Sequence, residues 1–97
     1  MLSGRIRVKE MVLFGSQASG RADRFSDIDL VVISPDFEGM KYEQIISVFV
    51  ELALKCDPRL EFHPFTLKER AEARPTNFLG HVLATGKVVV KDSKLLI

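Results

Sequence analysis

The segment Asp27-Ile28-Asp29-Leu30-Val31-Val32-Ile33 constrains this chain more than any other. Leu30 to Ile33 is an unbroken apolar run, mostly β-branched, and Ser34-Pro35-Asp36 ends it. Such a run reads as a strand covered on both faces. With 97 residues, the chain has room for one small domain, residues 1–97, in which helices pack on a sheet. The strand also opens with two acids at alternate positions. Side chains alternate along a strand, so Asp27 and Asp29 project from one face, about 6.6–6.8 Å apart along the backbone. Two carboxylates side by side repel and lose hydration. An otherwise apolar strand is expected to carry both only where a cation sits between them.

The rest of the pattern agrees with a two-layer fold. Val8 to Phe14 reads as a first strand that runs into Gly15-Ser16. Residues 17–26 are short, polar and turn-rich. From about Lys41 to Cys56, the residues Tyr42, Ile45, Ile46, Phe49, Leu52, Ala53 and Cys56 recur at helical spacing. This stripe is expected to be core, Cys56 included, with Asp57-Pro58 as the stop. Arg59 to Phe65 reads as a third strand, with Pro64 marking its end or a sheet edge. Thr66-Leu67-Lys68-Glu69 has the form of a capping box. A helix over Asn77 to Thr85 is expected to stop at Gly86, a good residue just past a helix end. Lys87 to Lys91 reads as a last strand, its terminal lysines suited to an edge. The expected class is α/β (α+β), a small mixed sheet of about four strands with helices packed on it.

Composition removes several alternatives. Fourteen Lys and Arg against thirteen Asp and Glu leave a formal charge of +1, which argues against nucleic-acid binding by bulk charge. A single cysteine, Cys56, excludes an internal disulfide or a Cys-based zinc site, and fits a reducing, cytoplasmic setting. No apolar run reaches the roughly 18 residues of a membrane span, and the N-terminal residues lack the regions of a signal peptide.

The chemistry is concentrated between Phe14 and Leu30. Gly15 to Gly20 has the spacing of a phosphate loop, but Arg21-Ala22 stands where Lys and then Ser or Thr are required. The dinucleotide-binding glycine pattern is absent. A calcium loop fails because Val31 occupies the next alternate position after Asp29. What remains is a glycine-serine turn beside a pair of carboxylates. The glycines let backbone N–H groups approach a phosphate closely, and paired carboxylates suit a hard divalent ion that also binds substrate phosphates. A two-metal site usually takes a third carboxylate from another strand. Glu61 is the candidate, flanked by core-facing Leu60 and Phe62, and its second role would be to help deprotonate an attacking hydroxyl.

The stretch Leu13-Phe14-Gly15-Ser16-x-x-x-Gly20-x5-Ser26-Asp27-Ile28-Asp29-Leu30 resembles the nucleotidyltransferases of the DNA polymerase beta superfamily. It is most similar to their minimal nucleotidyltransferase branch, small proteins often encoded beside a HEPN-domain partner. The resemblance runs from about Val8 onward. It implies a nucleotidyltransferase-like fold, Mg2+ (in a two-metal site), ATP or another nucleoside triphosphate as substrate, and transfer of a nucleotidyl group, AMP in the first instance, to a hydroxyl. Asp27, Asp29 and Glu61 would be the catalytic and metal-binding carboxylates. Gly15, Ser16, Gly20 and Arg21 would bind the nucleotide. The chain would act as the antitoxin of a toxin–antitoxin pair, modifying a tyrosine of its HEPN partner, or as a catalytically weak module acting by protein–protein binding.

Two departures from that pattern stand out. The third carboxylate is commonly aspartate, and glutamate is one methylene longer. Only about seven residues precede the first strand where many relatives have a helix, so one sheet face is expected to need cover from a homodimer or a hetero-oligomeric partner. Outside the motif, His63 shares the face of Glu61 and reads either as a solvent-facing strand residue or as a nucleotide contact. His81 is expected to be packed and hydrogen-bonded within its helix. Arg21 and Arg24 are placed equally well for phosphate or for solvent.

Overall fold

The computed structural model describes residues 5–15 and 27–96. Four strands form one mixed sheet: β1 Arg5–Phe14, β2 Ile28–Ile33, β3 Leu60–Phe65 and β4 Lys87–Leu96, in the order β3-β2-β1-β4. β1 runs antiparallel to both β2 and β4, and β2 and β3 are parallel. A parallel pair requires a crossover. Here it consists of a 3-10 helix, Pro35–Gly39, and helix α1, Tyr42–Lys55. Two shorter helices, α2 Leu67–Ala71 and α3 Phe78–Thr85, join β3 to β4.

β2 behaves as its sequence requires. Val31, Val32 and Ile33 are fully buried and Leu30 nearly so, because this strand is central and covered on both sides. Leu30 and Val32 face one core, with Ile6, Val8, Met11, Phe37 and the α1 residues Ile45, Val48, Phe49 and Leu52. The aromatic rings interlock there: Phe49 stacks on Phe62 with centroids 4.9 Å apart and meets the edge of Phe37 at 5.7 Å. Val31 and Ile33 face a second, smaller core with Val12 and with Leu79 and Val82 of α3. On this second face α3, a helix late in the chain, packs against the sheet.

Local signals account for most boundaries. Thr66 caps α2 by accepting from the Glu69 N–H, while Glu69 accepts from the Thr66 N–H at 2.9 Å, satisfying two otherwise open backbone donors. Asn77 caps α3 by accepting from the Gly80 N–H at 2.9 Å. Pro64 lies on edge strand β3, where a missing N–H costs no ladder bond on the open side. Asp57 turns the chain after α1, since its carboxylate accepts from the Arg59 N–H at 2.9 Å. Arg59 then offers its carbonyl to the Ile28 N–H at 2.8 Å, which starts the β2–β3 ladder.

Several expectations are corrected. Tyr42 and Ile46 are exposed, as are Val50 and Leu54, because α1 meets the sheet only along Ile45, Val48, Phe49 and Leu52. Cys56 is exposed, not core, since the helix has ended before it reaches the sheet again. His81 is exposed on α3, which buries only Leu79 and Val82. β1 begins at Arg5, not Val8, and β4 runs to Leu96, not Lys91; each extends because the other pairs with it, from Arg5↔Leu96 onward. Gly86 does end α3, but with φ −82° it has no left-handed conformation to favour glycine. Glycine is needed there for space: a Cβ would lie 2.7 Å from the Leu13 carbonyl oxygen.

Candidate metal and nucleotide site

The sheet's parity decides which side chains can meet. In β2, Asp29 has the parity of Val31 and Ile33, so it belongs to the α3 side. In β3, Glu61 is the register partner of Asp29, and His63 is the partner of Val31. The parallel ladder thus sets Asp29, Glu61 and His63 on one face at the edge of the smaller core. Each contributes one potential ligand atom, and these atoms all lie within 4.8 Å of one another. His63 Nε2 is 3.5 Å from Asp29 Oδ1. Asp29 and His63 are half-buried and Glu61 is exposed.

Gly15 closes this site from the β1 side. Phe14 pairs with Asp29 across the β1–β2 ladder, and Gly15 follows with φ 78°. That left-handed conformation favours glycine. A Cβ at the position would also stand 2.9 Å from Asp29 Oδ2. The absence of a side chain at Gly15 therefore leaves room beside one oxygen of the Asp29 carboxylate. An aromatic cluster adjoins the site. Phe14 lies 5.3 Å from the His63 ring and 5.5 Å from the Phe78 ring, and Phe65 stacks on Phe78 at 6.2 Å.

Among the described residues, Asp29 and Glu61 form an acidic pair with no cationic side chain other than His63 beside it. Two unit charges 4 Å apart repel by about 1 kcal/mol in water and about 4 kcal/mol near a protein surface. Exposure of Glu61 keeps the pair near the lower figure. Among the described residues, no lysine or arginine forms an ion pair with Asp29 or Glu61; the one basic side chain beside them is His63. Two carboxylate oxygens and an imidazole nitrogen within one ion's reach form a donor set that fits a divalent cation.

Of the residues singled out in the sequence, the structure brings together Gly15, Asp29 and Glu61. Asp27 precedes β2 by one residue, is exposed, and is not part of the close-set group. Ser16, Gly20, Arg21 and Arg24 lie outside the described residues. His63 stands closer to the carboxylates than the sequence alone indicates. Its shared parity with Glu61 was visible, but its approach to Asp29 depends on the β2–β3 register, which no local pattern specifies.

A family model described as nucleotidyltransferase domain matches residues 2–78, from β1 to the first residue of α3. The comparison with curated proteins gives no match.

Proposed function

Because the chain belongs to the nucleotidyltransferase domain family, a family of transferases, we propose that it moves a nucleotidyl group from a nucleoside triphosphate, ATP in the first instance, to a hydroxyl. The observation that carries this reading is the pairing of Asp29 with Glu61 across β2 and β3, next to Gly15, where a side chain would press on the Asp29 carboxylate. Asp29 and Glu61 would hold Mg2+, with Asp27 at the start of the same strand as a further carboxylate. When bound, such an ion supplies charge neutralisation of the triphosphate. Gly15, Ser16, Gly20 and Arg21 would bind the phosphates, backbone N–H groups and a guanidinium being suited to them. Glu61, the most exposed carboxylate of the close-set group, would accept a proton from the acceptor hydroxyl. That oxygen attacks the α-phosphorus and pyrophosphate leaves.

The acceptor we propose is a tyrosine hydroxyl of a HEPN-domain protein, which would make the chain an antitoxin working as part of a hetero-oligomer in the cytoplasm. One observation favours a second reading, a nucleotide-binding antitoxin of weak activity: Asp27 stands apart from the close-set group. Incubation of the chain and such a partner with ATP labelled at the α-phosphate separates the two. Label on the partner, lost with Asp29→Asn, supports transfer. Inhibition of the partner without label supports the binding module. Label that persists in both Asp27→Asn and Asp29→Asn sinks the assignment of these carboxylates.

A further inference from the structure

We propose that His63 supplies a nitrogen ligand to the cation held by Asp29 and Glu61, so that this site takes Mn2+ in preference to Mg2+; this rests on the metal-binding reading of the carboxylate pair given above. The placement is specific. His63 follows Glu61 by two positions on β3, so both side chains stand on the same face. Its Nε2 is the ring atom turned to the site, 3.5 Å from Asp29 Oδ1. Donors on adjacent vertices of an octahedral ion of this size stand about 3 Å apart, so one small movement seats both on a single cation. The ring is also restrained: Phe14 lies against it at 5.3 Å and Phe78 at 6.4 Å. A histidine serving only as a solvated strand residue has no need of this packing.

The donor set decides the metal. Mg2+ is a hard ion that prefers oxygen donors and gives up its waters reluctantly. Imidazole nitrogen favours first-row transition ions over Mg2+, and among them Mn2+ is the one that shares the carboxylate-oxygen preference of Mg2+. Replacing one oxygen ligand by His63 therefore raises affinity for Mn2+ relative to Mg2+.

The chain contains only two histidines, His63 and His81. His81 is exposed on α3 and outside the close-set group, which makes it the control. The experiment loads the whole chain with Mn2+ and records electron spin-echo envelope modulation, which detects a directly bound imidazole 14N. The expected result is nitrogen modulation in the wild type and in His81→Gln, and its loss in His63→Gln. In parallel, titrations should show His63→Gln weakening Mn2+ by about 10-fold or more while changing Mg2+ by less than half as much. Tight Mn2+ binding without nitrogen modulation in the wild type would overturn the role of His63 and leave the carboxylate site intact. Failure of the wild type to bind either ion would overturn both. The wild-type and His81→Gln spectra decide the matter even if His63→Gln folds poorly.

Discussion

Two acidic places on the same sheet face were resolved in opposite ways. Glu10, Val12 and Phe14 alternate along β1, so Glu10 points to the side of α2 and α3. It is only 7% exposed, and Arg70 of α2 donates to it from Nε at 2.8 Å. A nearly buried carboxylate requires such a partner, and here the chain supplies its own guanidinium. At the other place, Asp29 and Glu61 face each other with no lysine or arginine paired to them among the described residues. One acid is compensated from within and is structural. The other pair has no such partner among the described residues, as the proposed cation site requires. The first place gains fold stability. On the proposed function, the second gives some up for binding.

The sharpest way to break this comparison is to neutralise one acid at each place. Asp29→Asn should lower nucleotidyl transfer by about 100-fold or more, while thermal unfolding without metal stays unchanged or rises slightly as repulsion is relieved. A fall in metal-free stability would mean that Asp29 is structural after all. Arg70→Met should do the reverse. It strands the Glu10 carboxylate and costs about 1–3 kcal/mol of stability, read from urea unfolding, with metal affinity intact. Glu10→Gln with Arg70→Met should recover part of that loss.

Gly15→Ala should fall between the two. The left-handed backbone costs about 1–2 kcal/mol for a non-glycine residue, and the new methyl presses on Asp29 Oδ2. Stability and Mg2+ affinity should drop together, as calorimetry can show. A change in stability alone would mean that the Asp29 carboxylate shifts freely.

The smallest effect concerns a third acid, Asp57, half-buried at the turn into β3. Its hydrogen bond from Arg59 holds its carboxyl below the usual carboxylate range. A group with a lowered folded value stabilises the protein above its unfolded pKa and loses that contribution as pH falls through the folded value. Asp57→Asn should therefore lower stability slightly at neutral pH and make no difference in strong acid, below both values. A difference that persists there would point to the turn geometry and not the charge.

How much of this was legible in the sequence depended on whether a local pattern or a pairing made the decision. The continuous apolar run of β2, the Thr66 and Asn77 caps and the Glu61 strand were readable because each is encoded within a few residues. The parity rule also put Glu61 and His63 on one face. The extent of β4 was not readable. Lys91-Asp92-Ser93-Lys94 carries no strand pattern, Asp92 has φ 49°, and only pairing with β1 extends the strand through it. Periodicity marked Cys56, Tyr42 and Ile46 as core, but it shows which residues share a face of the helix and not how wide a strip the sheet covers. The approach of His63 to Asp29 required the register of two strands that are 34 residues apart in sequence at this point.

The account stands most directly on thermal unfolding of the wild type with and without Mg2+ and ATP, beside Asp29→Asn. Ligand at 100 times its dissociation constant adds about 2.7 kcal/mol, and a domain of this size gains roughly 4–8 °C per kcal/mol. The wild type should therefore rise by on the order of 10–20 °C, and Asp29→Asn should rise little or not at all. An equal rise in both proteins, or none in the wild type, would contradict the claim that Asp29 and Glu61 are held open for an external cation.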